Sequence, residues 1–451
     1  LAGYIVAMPL LGAYSDARGR AGVYAACMAA FAAGSLITAS AGLVPVPGIV
    51  WLVAGRVLQG LGGGGLVPLT LALAADLYTG AKRTFALGSV AGLQEAGSVF
   101  GPLYGAALAA AAAAAGGWRF VFICNVPLAG ICAAGVIAGH LRVRAAPVAS
   151  TAVIDWRSAL LLGAGLGLLV LALYPDDPAS RATGRFFIPA GLASLALLAG
   201  YAWRQVRQLD PLIPRDLLRS AGFIGSSVAN LLVGAALMVA LVDVPILGRL
   251  VFNLDELQSG LLLSRFLIGV PIGALVGGLL AARLGFRLTA GLGMAIAALA
   301  FLQMSGWHAE ELSLHAGPFR QADLGLAACG LGFGIVIAPL AAAVLNLAAA
   351  ETHGLASSLV VLARTVGMLI GLSALTAFGL HRFHQILGSP QLNDPTLRER
   401  VDHLARLVAA AFLQEYREIF GIAAALCVLA GLVALATLGR SPYRLAATAS
   451  K

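Results

Sequence analysis

Residues 12–20 read Gly12-Ala13-Tyr14-Ser15-Asp16-Ala17-Arg18-Gly19-Arg20 and join two apolar stretches. A near-copy, Gly278-Leu279-Leu280-Ala281-Ala282-Arg283-Leu284-Gly285-Phe286-Arg287, joins two more in the second half of the chain. Both fit Gly-x3-(Asp/Ala)-x2-Gly followed by a base. The glycines suit a short turn at which two helices approach closely. The Asp16 carboxylate is placed to pair with a base or with a helix end, as a latch that opens and closes. A single copy is also what a plain basic loop between two spans would look like. Two copies point to a fold of two similar bundles around a central site, one common solution to alternating access.

Outward from these loops the chain is a series of apolar windows. Thirteen are expected, near 1–14, 21–41, 50–73, 85–112, 119–141, 157–174, 186–204, 221–248, 258–281, 288–306, 323–347, 355–380 and 418–439. Most reach the ~20 residues that cross a hydrocarbon core. Hydrophobic residues are 60% of the 451 and charged ones 11%, against roughly 25% charged in soluble domains. That excludes a set of soluble domains. The expected class is therefore an all-α polytopic membrane protein. The net charge of +9 does not indicate nucleic acid, because the bases lie in short loops and form no basic face. Cys27, Cys124, Cys132, Cys329 and Cys427 fall inside apolar spans and read as small packing residues, with no disulfide or metal framework. The 56 glycines read mainly as helix-packing positions, since lipid gives helices no hydrophobic reason to associate.

Alternate short loops differ in charge. Sixteen Lys and Arg, from Arg18 through Arg287 to the C-terminal tail, lie on one side, against Arg119, Arg181, Arg185, Arg249 and Arg320 on the other. The richer side is expected to be cytoplasmic, with the C-terminus. The loop 381–417 repeats Leu397, Val401, Leu404, Val408 and Phe412 at helical spacing. That pattern suits an amphipathic helix near 396–415, lying in the outer interface or packed on the bundle. The first window begins at Leu1 and is short for a span, so the sequence is expected to start inside a helix.

With these residues in view, the chain resembles the major facilitator superfamily, in its fourteen-helix drug:proton antiporter branch. The carrying motifs are Gly12, Asp16, Gly19 and Arg20 with their second copy Gly278, Arg283 and Gly285; Leu52 to Gly60 around Arg56; and the antiporter-like Gly97, Gly101, Pro102 and Gly105. Trp118-Arg119-Phe120 with Asn125-Val126-Pro127 resembles the branch signature at the next span. The strings Gly3 to Gly12, Leu237 to Val244, Arg364 to Gly371 and Arg382 to Leu387 are similar to mycobacterial-type triacylglyceride and multidrug exporters. The resemblance implies a major facilitator fold: an N-terminal bundle over 1–142 without its first helix, two linker helices within 143–215, and a six-helix bundle over 216–451. It implies outward movement of hydrophobic drugs or lipids across the cytoplasmic membrane, with a proton gradient as energy source and no cofactor. It also implies a lipid-binding lipoprotein as partner, and a monomer in the bilayer. The family's usual membrane-embedded Asp would lie on the helix before Leu1, and Ala282 stands where the second loop motif would carry Asp.

Five ionisable residues fall inside spans, where charge is costly and marks function. Glu95 is the leading proton carrier, or else a fixed partner locking two helices. Arg56 either faces the cavity, as the resemblance implies, or snorkels outward. Asp243 and Arg265, toward the outer ends of adjacent spans, would form an ion pair or second proton site, or Asp243 would be solvated. Arg364 lies deep, with no partner assignable. Three rival readings remain: an importer or exchanger of a small solute, a non-transporting scaffold, and a lipid-modifying membrane enzyme. The enzyme reading has only His308, His315, Glu310 and Glu311 as candidates, on one outer loop without metal spacing. No phosphate-binding loop is present, so energy would come from a gradient or a partner.

Overall fold

The computed structural model describes residues 1–112, 117–143, 155–174, 183–208, 211–316, 319–387 and 397–439. It is built almost wholly of helices. The N-terminal group is α1 (Ala2–Arg18), α2 (Arg20–Ala39), α3 (Gly48–Leu77), α4 (Gly80–Ala111) and α5 (Trp118–Val143). Two helices follow, α6 (Trp156–Leu173) and α7 (Phe187–Arg207), and then the short α8 (Arg215–Arg219). The C-terminal group is α9 (Ala221–Leu250), α10 (Glu256–Leu284), α11 (Phe286–Met304), α12 (Gln321–Leu347), α13 (His353–Leu387) and α14 (Leu397–Thr437). Among the described residues eleven helices are long and apolar enough to cross a membrane. With α1 and α4 beside them, the long helices coincide with the thirteen expected windows.

The turns confirm the internal repeat in backbone terms. Gly19 ends α1 and starts α2 at φ 92°, and Gly285 ends α10 and starts α11 at φ 86°. Both values lie where an L side chain is strained, so glycine is required at both. Successive helices alternate in direction. The Arg-rich turns therefore gather at one end of the molecule, here called the basic end.

Packing in the C-terminal group rests on small residues and one aromatic chain. An added Cβ at Gly330 would overlap the Phe266 carbonyl, and one at Gly334 the Val270 carbonyl, so α10 and α12 touch backbone to backbone. Without hydrophobic drive in lipid, such close contact is what holds helices together. Phe266, Phe333, Phe301, Phe420 and Trp307 run in series across α10, α12, α11, α14 and the turn after α11, with centroids 5.9–6.1 Å apart. All five are fully buried, and each such pair contributes about 0.5–1.5 kcal/mol beyond area. On the other side, α6 packs on α1 and α7 on α6, with Arg204 of α7 tied to Asp155 at the start of α6 at 3.2 Å.

Two expectations change. The amphipathic segment near 396–415 is not a separate interfacial helix. It is the first part of α14, a single 41-residue helix. At 1.5 Å per residue that is about 60 Å, twice a hydrocarbon core. Its described part packs on α13, with Phe412 stacked on Phe383 at 4.4 Å and Glu418 on Arg382 at 2.7 Å. The amphipathic stripe faces a neighbouring helix there. The structure also contains a minimal antiparallel pair, β1 (His315–Ala316) and β2 (Phe319–Arg320), where only a loop was expected. The expected passages near 143 and 396 run into residues outside the described set.

Candidate functional site

At the basic end, α1 meets α13 through glycine. An added Cβ at Gly12 would lie 2.5 Å from the Gly354 carbonyl oxygen. That closeness brings Asp16, one turn on, to the N-terminus of α13. Its two carboxylate oxygens accept the Gly354 and Leu355 amides, both at 2.8 Å. A helix N-terminus presents unpaired N–H groups and a positive dipole, so it is a natural seat for a carboxylate. Asp16 also holds Arg20 at 2.9 Å. Arg20 in turn donates to the Ala350 carbonyl at 2.7 Å and pairs with Asp76 at the end of α3.

Asp76 leads to a histidine that sequence reasoning missed. Asp76 Oδ1 stands 2.8 Å from His353 Nδ1, and Arg83 Nη2 stands 2.9 Å from His353 Nε2. A guanidinium can only donate, so Nε2 accepts and the ring proton sits on Nδ1, facing Asp76. Arg83 also donates to the Leu345 carbonyl at 3.0 Å. The N-terminal helices α1, α3 and α4 are thus bound to α12 and α13 by a network of two carboxylates, two guanidiniums and a neutral imidazole. In sequence, Asp76 closing an apolar run was a readable signal; His353, in a polar loop, carried none.

Near the middle of the molecule a second link joins the two groups. Arg364 Nη2 of α13 stands 3.3 Å from Glu95 Oε1 of α4. Both side chains are mostly buried, at 9% and 16% exposed. Tyr4 of α1 lies within electrostatic reach of both. The partner that sequence alone could not assign to Arg364 is therefore Glu95.

The remaining candidates are placed differently. Arg56 is exposed, donates to Gln59 at 3.1 Å and lies 5.6 Å from the Phe122 ring centre. Among the described residues it pairs with no carboxylate. Arg265 does not meet Asp243; its Nε lies 3.1 Å from Asp323 Oδ1 on α12. Asp243 lines a small cavity facing Gly371, Leu375 and Thr376 of α13. His308, Glu310 and Glu311 lie in the turn between α11 and β1, with Glu311 buried.

The antiporter-like motif lies on α4, which also carries a close contact between the groups. Toward the basic end α4 packs closely on α10: an added Cβ at Gly88 would lie 2.9 Å from Gly278 Cα, and one at Gly92 3.1 Å from the Pro271 carbonyl oxygen. Beyond Glu95 another face of α4 is open. Gly97, Gly101 and Gly105, one turn apart on α4, have nothing within 4 Å of an added Cβ; the Pro102 side chain lies outside the described residues. The two groups are closed on each other at the basic end, and the glycine face of α4 is open toward the other end. Arg283, beside Gly278, lines a cleft of about 720 Å³ with Tyr78, Lys82 and Phe85 at the closed end.

Comparison with known proteins agrees with this architecture. The chain is 41% identical over 403 residues to a triacylglyceride transporter of Mycobacteroides abscessus, covering 88% of this chain and 76% of that one. It is 40% identical over 467 residues to one of Mycolicibacterium smegmatis (98% and 80% covered), and 38% over 460 residues to one of Mycobacterium tuberculosis (98% and 86%). Among solved structures it is similar in fold to the human organic anion transporter MFSD10, with TM-score 0.59, 17% identity, and 96% and 81% of the two chains covered. It also resembles the proton:xylose symporter XylE, with TM-score 0.54, 14% identity, and 96% and 83% covered. The Major Facilitator Superfamily profile matches residues 1–151, 144–372 and 251–451. Matched along nearly its whole length, with two helix groups that each carry a copy of the loop motif, the chain belongs to the major facilitator superfamily.

Proposed function

We propose that the protein is a secondary exporter that carries triacylglyceride-class lipids, or similarly hydrophobic compounds, outward in exchange for protons. The basic end faces the cytoplasm, in keeping with the retention of Lys and Arg there. The protein then sits in the cytoplasmic membrane with its C-terminus inside, and the present conformation is outward-facing. The substrate class is carried from the named relatives; the chain works as a transporter and not as a lipid-modifying enzyme. A monomer, handing its lipid to a lipid-binding lipoprotein outside, completes the reading. No cofactor takes part.

The observation that carries the proton coupling is the Glu95–Arg364 pair between the two groups. A charged Glu95 holds Arg364 and so favours the conformation in which the pair exists. A proton arriving from the open outer side neutralises Glu95 and leaves Arg364 without its counter-charge. The pair then no longer opposes rearrangement to a cytoplasm-open form, in which the proton leaves and lipid binds. Deprotonated Glu95 regains Arg364 as lipid is carried outward. Arg364, always charged, biases this cycle but cannot itself carry the proton. One charge moving through about 100 mV supplies about 2.3 kcal/mol, enough to shift a two-state equilibrium about fifty-fold.

The test is lipid export from proteoliposomes with an imposed pH gradient. Wild-type protein is expected to accelerate with the gradient, and Glu95→Gln to be insensitive to it. Gradient-driven export by Glu95→Gln at the wild-type rate would remove Glu95 from the coupling.

A further inference from the structure

A second acidic site lies away from Glu95, where α9, α13 and α14 meet. Glu415 of α14 is 7% exposed, and its Oε2 has no hydrogen-bond partner. Its Oε1 is seated against Gly379 of α13, where an added Cβ would overlap it. Glycine at that position makes room for the carboxyl group. Asp243 of α9 is half-buried, and the Glu415 carboxyl lies within electrostatic reach of it. Asp243 lines a cavity of about 10 Å³ together with Gly371 and Thr376, no more room than a single water needs.

Neither acid has a cation. Among the described residues no Lys, Arg or His comes within ion-pair distance of Asp243 or Glu415. The charged groups around them are engaged elsewhere. Arg382 of α13 is bound through two nitrogens by Glu418, at 2.7 and 2.9 Å. Arg417 donates to the Ser305 carbonyl at 2.9 Å, and Arg249 of α9 is exposed at the helix end. His381 is exposed and lies 2.9 Å from Gln385. Tyr416 feels both acids and has no charge to offer them. Two carboxylates withdrawn from water without a cation cost several kcal/mol, and such groups neutralise instead.

We propose that Asp243 and Glu415 form a proton-binding pair in the C-terminal group, holding at least one proton at neutral pH, in addition to Glu95. The ligand is the proton itself. The pair lies in the half of α9 away from the basic end. This proposal does not depend on the role of Glu95.

Carboxyl-region infrared spectra and proton counting on the whole protein in lipid nanodiscs test it. Wild type at pH 7 is expected to show a protonated-carboxyl band that persists in Glu95→Gln and disappears in the Asp243→Asn, Glu415→Gln double variant. On titration from pH 6 to pH 10 the double variant should release about one proton fewer per chain. Glu415→Gln alone, isosteric with the protonated acid, should leave thermal stability unchanged, so lost signal cannot be ascribed to unfolding. A band unchanged in the double variant, equal proton release, or marked destabilisation by Glu415→Gln alone would overturn the proposal. None of these outcomes bears on gradient-driven export through Glu95.

Discussion

Arg364 and Glu95 face each other at 3.3 Å across the boundary between the two helix groups, one from α13 and one from α4. Neither has another ion-pair partner among the described residues, and Arg364 Nη1 is buried without a hydrogen bond. Removing one member leaves a buried charge uncompensated, at a cost of about 3–5 kcal/mol. Arg364→Ala and Glu95→Ala should therefore each destabilise the protein by several degrees. The double variant should cost less than the sum of the two, since neither charge is then stranded. Thermal unfolding of the four proteins in detergent checks this; strict additivity would mean that the pair is not energetically coupled.

Asp16 caps α13 with a charge. Hydrogen bonds to a charged group contribute about 1.5–3 kcal/mol each, and Asp16→Asn keeps an oxygen but loses the charge. A net loss of about 2 kcal/mol would open the basic end about thirtyfold more often. The measurement is maleimide labelling of a cysteine placed at Ser358, fully buried beside Gly12, with the five native cysteines replaced. Labelling should be markedly faster in Asp16→Asn. An unchanged rate would show that the cap does not hold this end closed.

The two halves of α4 make opposite predictions. Leucine at Gly88 would drive into Gly278, costing about 1–3 kcal/mol of overpacking and forcing the basic end apart. Leucine at Gly101 meets open space here, so the protein should fold and keep this conformation. It should nevertheless lose transport, because rearrangement to the alternate conformation would bring that stripe against its neighbours. Spin-label distances across both ends distinguish the two variants. A fully active Gly101→Leu protein would mean that the stripe never packs.

Arg265 and Asp323 predict a small effect. The Arg265 side chain is 38% exposed, and solvent screening holds such pairs to about 1 kcal/mol or less. Arg265→Asp should lower the melting temperature slightly, and adding Asp323→Arg should restore it. Adding Asp243→Arg instead should not.

The helices were legible because each is an unbroken apolar run between charged or glycine turns, and the Gly19 and Gly285 repeat was visible letter by letter. The Asp16 latch was half legible. Its base, Arg20, lies one turn away in sequence, but the α13 N-terminus that it caps comes from the other helix group. Arg364 could be placed deep in a span but not given Glu95, because depth follows from counting residues while facing direction depends on how two bundles dock. The same gap left an Arg265–Asp243 pair open, where the structure pairs Arg265 with Asp323. In α14, the periodicity of Val408 and Phe412 was read correctly as an apolar stripe. Periodicity does not say whether lipid or the Phe383 face of α13 covers it.

Proton and lipid movement measured together in the same proteoliposomes tests the central claim most directly. With the outer face exposed and a lipid gradient as the only driving force, each outward movement of triacylglyceride should bring protons inward, and Glu95→Gln should abolish the proton signal. Lipid export at full rate with no accompanying proton movement, or with protons moving in the same direction, would contradict the account.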